Sequence, residues 1–443
     1  MTRHARLPFR GAAPLLVVAL AVAVPAAHAD PQPGPPPEAT EHTTLEGALG
    51  AVGMDRATFE TQAETADRLS AAAEEYAARY PEAFAGVRVV GARGQVGVLP
   101  GADDEDALTS DARSRGFSTF AAPVPAKSLD RTAERVESWT DSLPPEQREE
   151  VAVTEVDPAT GDVTVVVTDS DRAPAPPADL GAELRRGTFH KAQSLGSGGG
   201  AVTPIDPTPT DPTPPTVPDG ALLGGDRYLA TDPATGAGVW CSFGFNGIRD
   251  GRVVNITATH CGEFAGASPA TSRWGTVSQA HGDTELGHFS AAEADHDMDA
   301  ALVTIADDAR PRFTNNLVRS SGGAPLAITG TASPVVGQTV CKYGRTSAYT
   351  CGKVSALDST RAPGQVTVDI CVLAGDSGGV FFAGSRALAI TSMSNAFDMS
   401  TGQPIPYTSC REAGAGVRAP LQAIVVAVPA IVEQFPGLSV RTS

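Results

Sequence analysis

Gly375-Asp376-Ser377-Gly378-Gly379 is the stretch on which the reading of this chain turns. A serine flanked by glycines can sit on a tight turn with its hydroxyl presented. The glycines also let backbone N–H groups come close to a reacting carbonyl. Two upstream segments complete the set. Thr257-Ala258-Thr259-His260-Cys261 supplies an imidazole, and Asp299-Ala300-Ala301-Leu302-Val303 supplies a carboxylate ahead of an apolar run. His, then Asp, then Ser is one of the chain orders in which a base, an orienting acid and a nucleophile occur. Serine is a poor nucleophile until a base accepts its proton, and an unperturbed imidazole titrates near neutrality. His260 is therefore the candidate base, Asp299 the candidate orienting acid and Ser377 the candidate nucleophile. The N–H groups of Gly375 and Ser377 are the candidate oxyanion hole.

Rival readings of the same residues are weaker. His281, His288 and His296 do not sit in a segment comparable to that of His260. Asp295-His296-Asp297-Met298-Asp299 has the alternating carboxylates of a calcium loop. An EF-hand would need Gly at 300 and Glu at 306, and both are Ala. Asp297 remains a second candidate for the acid. An esterase of the α/β-hydrolase kind would carry Gly-x-Ser-x-Gly with its acid and then a final His after the serine. Here both partners precede the serine.

The 443 residues have room for two or three domains. Residues 1–29 read as a secretory signal peptide. Arg3, Arg6 and Arg10 precede an apolar run, and Ala27-His28-Ala29 is a cleavage site of small residues. No later segment reaches membrane-spanning length, and the apolar stretch at 421–432 is short and holds Pro429. The net charge of −18 argues against nucleic acid as a partner, since phosphates call for clustered Lys and Arg. The acidic run Asp103-Asp104-Glu105-Asp106 reads as solvated surface.

All six cysteines, Cys241, Cys261, Cys341, Cys351, Cys371 and Cys410, lie in the second half. In a secreted chain an even count implies disulfides, with 15 possible pairings for six. No Cys-x-x-Cys pair points to zinc, so neither a metal nor a cofactor is expected.

Composition divides the chain into 1–29, 30–194, 195–219 and 220–443. Within the second part, 45–79 and 130–143 have helical spacing, and 87–90 and 95–98 read as strands. Residues 151–156 and 162–168 flank the turn Asp157-Pro158-Ala159-Thr160-Gly161, which makes a hairpin in a small α+β region. Residues 195–219 are Gly-Ser and then Pro-Thr-Asp repeats, an extended linker with no core-forming residues. From 220 onward the chain reads as short strands separated by Gly, Asn and Asp turns, with 252–258, 300–305, 366–370, 379–382 and 387–391 as examples. One helix is expected near 429–434. Little helix and many short strands argue an all-β barrel or sandwich. Asn255-Ile256-Thr257 matches a glycosylation sequon, but a strand destined for burial is a poor acceptor.

The second half resembles the chymotrypsin-like serine proteases, most closely the secreted bacterial streptogrisin and α-lytic protease branch. The resemblance runs from Leu222-Leu223-Gly224-Gly225 through Cys241-Ser242-Phe243-Gly244-Phe245 and the His and Asp segments. It continues through Cys341-Lys342-Tyr343-Gly344-Arg345-Thr346, Cys351-Gly352 and Cys371 to the tail Pro429-Ala430-Ile431-Val432-Glu433-Gln434. It implies two six-stranded antiparallel β-barrels with the site between them, and the disulfides Cys241–Cys261, Cys341–Cys351 and Cys371–Cys410. It favours Asp299 over Asp297, because the family places an apolar strand directly after the acid. It implies that Asp376 is buried against a basic side chain, Lys342 first and Arg345 second.

The departures from the family pattern concern the pocket. Thr259 stands where Ala or Gly is usual and adds bulk beside the base. Met393 and Ser394 follow Ser392 where Gly, or an aromatic residue and then Gly, is common, and Leu373 replaces a frequent Gly. No Asp lies six residues before Ser377, which argues against a preference for Lys or Arg. Val372, Leu373, Thr391, Ser392 and Ser394 are the candidate substrate-binding residues of a small or narrow apolar pocket, which the 395–409 loop reshapes. Residues 30–194 resemble the prosegment of the same branch, an intramolecular chaperone and inhibitor. The expectation is a secreted, monomeric serine endopeptidase acting on proteins or peptides. The alternative is an inactive homologue kept as a secreted binding module.

Overall fold

Short strands broken by turns build two antiparallel barrels here: the second closes into a ring of six, while the first, expected with six strands, is a nine-stranded sheet whose pairings among the described residues do not close into a ring. The computed structural model describes residues 42–168, 170–191, 220–264, 272–280, 283–295, 298–319, 324–358, 364–400, 405–417 and 419–443. The signal-peptide and linker readings, and His281, His296 and Asp297, lie outside them.

In the first barrel Arg252–Thr257 is central. It pairs on one side with Asn246–Arg249 and on the other with Ala300–Ile305. The sheet continues through Gly287–His288 and Thr276–Ser278 to Arg227–Thr231 and Gly238–Ser242. Tyr228, Phe243, Val277, Phe289, Val303 and Phe313 fill it. The second barrel closes as a ring of six strands. Thr339–Gly344 pairs with Val380–Ala383, then follow Arg386–Ser394, Ala423–Ala427, Gln365–Asp369 and Ala348–Leu357, which returns to the first. The helix Val428–Gln434 packs beside it, one residue longer at its start than the sequence suggests.

The N-terminal region is α+β, with a three-stranded sheet of Phe84–Val90, Arg93–Val98 and Ser118–Ala121. The helical stretch at 45–79 is two helices, Leu45–Ala51 and Arg56–Arg79, capped by Thr44 and Asp55. Each cap side chain accepts a backbone N–H of the first turn, and Gly53, with φ +70°, makes the break between them. None of the acidic residues at 103–106 is buried, and the helix Glu105–Ser114, which buries Leu108 and Ala112, starts within that run.

This region does not stand apart from the second barrel. Leu45, Leu49 and Phe59 belong to the same apolar core as Tyr349, Phe381 and Phe382. Backbone bonds join His42 to Tyr349 in both directions, and Gln62 Oε1 accepts from Thr339 N at 2.7 Å. The hairpin of Val151–Asp157 and Asp162–Thr168 extends the barrel sheet where Val156 meets Leu357. The short strand His190–Lys191 then pairs antiparallel with Met393 and Ser394. Each fully buried Leu or Phe side chain contributes about 1.5–3 kcal/mol, so the shared core is a substantial part of what holds the second barrel.

Candidate active site

His260 lies in a single helical turn, Thr259–Cys261, directly after the strand Arg252–Thr257. Asp299 stands at the start of the paired strand Ala300–Ile305 and takes φ +58°, a left-handed conformation uncommon outside glycine. Ser377 lies in the turn before Val380–Ala383 of the second barrel. Residues far apart in sequence thus meet between the barrels. Asp299 Oδ2 lies 2.7 Å from His260 Nδ1, and His260 Nε2 lies 2.8 Å from Ser377 Oγ. His260 N also donates to Asp299 Oδ1 at 3.0 Å, so the carboxylate grips both ring and backbone. All three residues are buried.

Two side chains hold the acid in place. Ser392 Oγ donates to Asp299 Oδ2. A register shift between Thr391 and Met393 bulges the strand there, a device that re-aims a side chain. Thr259 Oγ1 lies 2.8 Å from both the Asp295 and the Ala300 carbonyl oxygens. The added bulk beside His260 is thus an anchor for the segment that carries Asp299. It has one proton to give and two acceptors to share it. Asp295 and Asp299 are both committed to protein hydrogen bonds, Asp295 Oδ1 accepting from Met298 N.

The glycines of the serine turn are required by space. Gly375 has φ +98° and Gly378 φ +77°. A Cβ on Gly378 would run into Thr257 Oγ1 and the Ser242 carbonyl, and one on Gly375 would meet Thr346 Oγ1 at 2.6 Å. Ser242 ties the turn to the first barrel: its N–H donates to Ser377 O and its hydroxyl to Gly375 O, both at 2.9 Å. On another edge Gly378 N donates to Thr391 O at 2.9 Å.

Asp376 is fully buried, and Lys342, equally buried, meets its Oδ2 at 2.7 Å. Its other oxygen accepts from the N–H groups of Thr346 and Ser347, and Leu373 N and Ser347 Oγ donate to Oδ2. Burial pushes the carboxyl up. The Lys342 ammonium and the hydrogen bonds outweigh this and hold it below the usual carboxylate range. Arg345 does not take part in this ion pair.

The candidate pocket residues separate. Leu373 packs with Cys371, Ala396, Cys410 and Ala413, with Tyr407 and Leu421 at the edge. Val372 belongs to the barrel core, and the Thr391 hydroxyl reaches the Gly379 carbonyl. The side chain of Ser392 serves Asp299, and Ser394 is buried at the strand that receives His190–Lys191. Met393 packs on Ala152, Val153, Val166, Phe189 and Ile424. The 395–409 loop carries a two-residue strand pair, Phe397–Asp398 with Ile405–Pro406, and the helix Cys410–Gly416 follows. Asn255 is buried and bonded to Gly244 and Asn246.

The disulfides are Cys241–Cys261, Cys341–Cys351 and Cys371–Cys410, closing separations of 20, 10 and 39 residues. Each is worth about 2–4 kcal/mol. The first two sulfurs lie close to a His260 nitrogen, but as a disulfide they offer no thiolate to a metal. Sequence reasoning missed the roles of Ser242, Ser347 and the Ser392 hydroxyl. No local signal marks them, because their partners are 133, 29 and 93 residues away.

No protein-family model matches this chain. It is 35% identical over 184 residues to serine protease 2 of Streptomyces fradiae, covering 39% of this chain and 93% of that protein. It is 31% identical over 176 residues to glutamyl endopeptidase 2 of Streptomyces griseus, covering 38% and 87%. Against streptogrisin-D of the same organism it is 32% identical over 187 residues, covering 40% of this chain. The match spans 44% of streptogrisin-D, less than half of that relative's length. With a closed six-stranded barrel beside a second antiparallel sheet, and this degree of identity over nearly all of serine protease 2, the chain belongs to the chymotrypsin-like serine proteases, in the streptogrisin branch.

Proposed function

We propose that the chain is a secreted serine endopeptidase made as a preproprotein. Residues 1–29 are the signal peptide, 30–194 the prosegment, 195–219 a linker and 220–443 the protease. The observation that carries this reading is the unbroken relay from the Asp299 carboxylate through both His260 nitrogens to Ser377 Oγ. His260 Nε2 takes the serine proton as Oγ attacks the scissile carbonyl carbon. The N–H groups of Gly375 and Ser377 receive the oxyanion, and losing one such donor costs about 10²–10³ in rate. The imidazolium then protonates the departing amine and leaves an acyl ester on Ser377. A water deprotonated by His260 attacks that ester and frees the acid. Asp299 stays ionised throughout and stabilises the imidazolium.

The residue before the scissile bond is small or apolar in this proposal. Leu373, Ala396, Ala413 and the Cys371–Cys410 bridge line an apolar neighbourhood with no cation among them. The name of glutamyl endopeptidase 2 gives that relative a different preference, which needs a positive partner for the carboxylate.

The N-terminal region acts on the protease in two ways. The backbone of His190–Lys191 occupies Met393 and Ser394, edge groups an extended substrate would use, so it inhibits. Its helices complete the second barrel core, so it assists folding of a β domain rich in non-local contacts. The inactive-homologue reading drew on Thr259, Met393 and Ser394. Thr259 bonds to backbone, and Met393 packs on the N-terminal region.

Profiling a peptide library with the secreted protein tests this. Cuts after Ala- or Val-sized residues, abolished by Ser377→Ala, are expected. Dominant cutting after Glu would overturn the pocket assignment, and no cutting by folded, processed protein would overturn the enzyme. A chain begun at Ala221 should refold poorly until residues 30–194 are supplied. Efficient unaided refolding removes the chaperone role.

A further inference from the structure

With Lys342 paired to Asp376, Arg345 stands beside the serine turn and makes no ion pair among the described residues. Its Nη1 lies 2.7 Å from where a Cβ of Gly375 would be, so the guanidinium rests against the residue whose N–H is a proposed oxyanion donor. Its backbone is fixed there, because Arg345 N donates to Ser242 Oγ at 2.9 Å and Ser242 Oγ donates to Gly375 O. The guanidinium carbon is 5.1 Å from the centre of the Trp240 ring, and that of Arg227 is 5.6 Å from the same ring. Among the described residues Arg345 Nε is buried with no hydrogen-bond acceptor. Burial disfavours its charge, Asp376 partly offsets this, and Arg227 adds to it. Asp376 is already bound to Lys342. Among the described residues neither Arg345 nor Arg227 makes an ion pair, so two like charges share one indole in a chain of net charge −18.

The position relative to the scissile bond follows from the neighbours of the turn. The strand Arg386–Ser394 receives an extended segment at Met393 and Ser394 and so borders the residues before the bond. Trp240 and Ser242 lie on Gly238–Ser242, a strand of the other barrel, which meets the turn through Ser377 O and Gly375 O. That strand borders the departing residues.

We propose that Arg345 and Arg227, set on Trp240, form a subsite for a carboxylate side chain in the first or second residue after the scissile bond. A guanidinium presents two parallel donors that match a carboxylate, and a partly desolvated fork loses less to water than an exposed lysine. The subsite rests on the endopeptidase reading above.

The test uses matched fluorogenic peptides with Glu, Gln or Lys at each of the two positions, cut by the secreted protein and by its Arg345→Gln and Arg227→Gln variants. The expected result is kcat/KM about tenfold higher for Glu than for Gln at one position, with Lys the slowest. The preference should shrink at high salt, fall to about twofold or less in Arg345→Gln and be reduced in Arg227→Gln. Equal cutting of Glu and Gln peptides overturns the subsite while leaving the endopeptidase intact, as does a Glu preference that survives both substitutions. If no peptide is cut, the endopeptidase reading fails and the subsite with it. Should Arg345→Gln fail to fold, the loss of preference in Arg227→Gln decides the matter.

Discussion

Replacing Lys342 with methionine isolates the ion pair beneath Ser377. Both partners are at 0% side-chain exposure and 2.7 Å apart. At an effective dielectric of about 20 the gross attraction at that distance is about 6 kcal/mol. The methionine fills most of the volume, and the carboxylate keeps donors from Thr346, Ser347 and Leu373. What remains is the cost of an uncompensated buried charge, about 3–5 kcal/mol. The pH dependence carries the signature. In the native chain the Asp376 carboxyl is held below its unfolded value. Its contribution is therefore complete above an unfolded value of about 3.9 and is lost as pH falls through the folded one. Without Lys342, burial dominates and the folded value rises above the unfolded one. Acidification then protonates Asp376 in the folded variant and recovers about 1.4 kcal/mol per pH unit. Urea unfolding of the full chain, with Ser377→Ala in both proteins to prevent autolysis, measures the deficit across mildly acidic to neutral pH. A deficit that is largest near neutrality and narrows on acidification is expected. A deficit under about 1 kcal/mol, or one indifferent to pH, would refute the argument.

Three further substitutions probe the site. Thr259→Val keeps the shape and removes the proton shared by the Asp295 and Ala300 carbonyls. It should cost about 1–3 kcal/mol in unfolding and lower kcat more than it raises KM; an unchanged kcat would mean that Thr259 does not position Asp299. Asp299→Asn should leave the fold intact and lower kcat by about 10⁴, measured on a chromogenic peptide; retention of more than a tenth of the activity would remove Asp299 from its role. Met393→Gly removes the side chain packed on Val153, Val166 and Phe189. It should weaken inhibition by added N-terminal region at least tenfold; an unchanged inhibition constant would place the binding energy elsewhere.

Much of the candidate site was legible because each part carries a local signature. Ser377 sits among glycines that sterics require, His260 precedes a cysteine at a strand end, and Asp299 opens a strand whose bounds match the sequence reading. The barrel strands were legible as short apolar runs between Gly, Asn and Asp turns. The helix Glu105–Ser114 was not, because it buries only Leu108 and Ala112 and its charges read as surface. The left-handed Asp299 and the bulge at Ser392 leave no trace in composition. Nor could the pairing of His190–Lys191 with Met393 and Ser394 be read. A two-residue strand has no periodicity, and its partner lies about two hundred residues away. The sequence reading ranked Lys342 ahead of Arg345 as the partner of Asp376, and the structure pairs Lys342 with it at 2.7 Å while Arg345 packs on Trp240.

The central claim is that Ser377 is an activated nucleophile. The direct measurement is labelling of the processed, secreted protein with a fluorophosphonate, followed by mass analysis of the labelled peptide. Stoichiometric phosphonylation on Ser377, lost in His260→Ala, is the expected result. A folded, processed protein that takes no label at Ser377 would contradict the account.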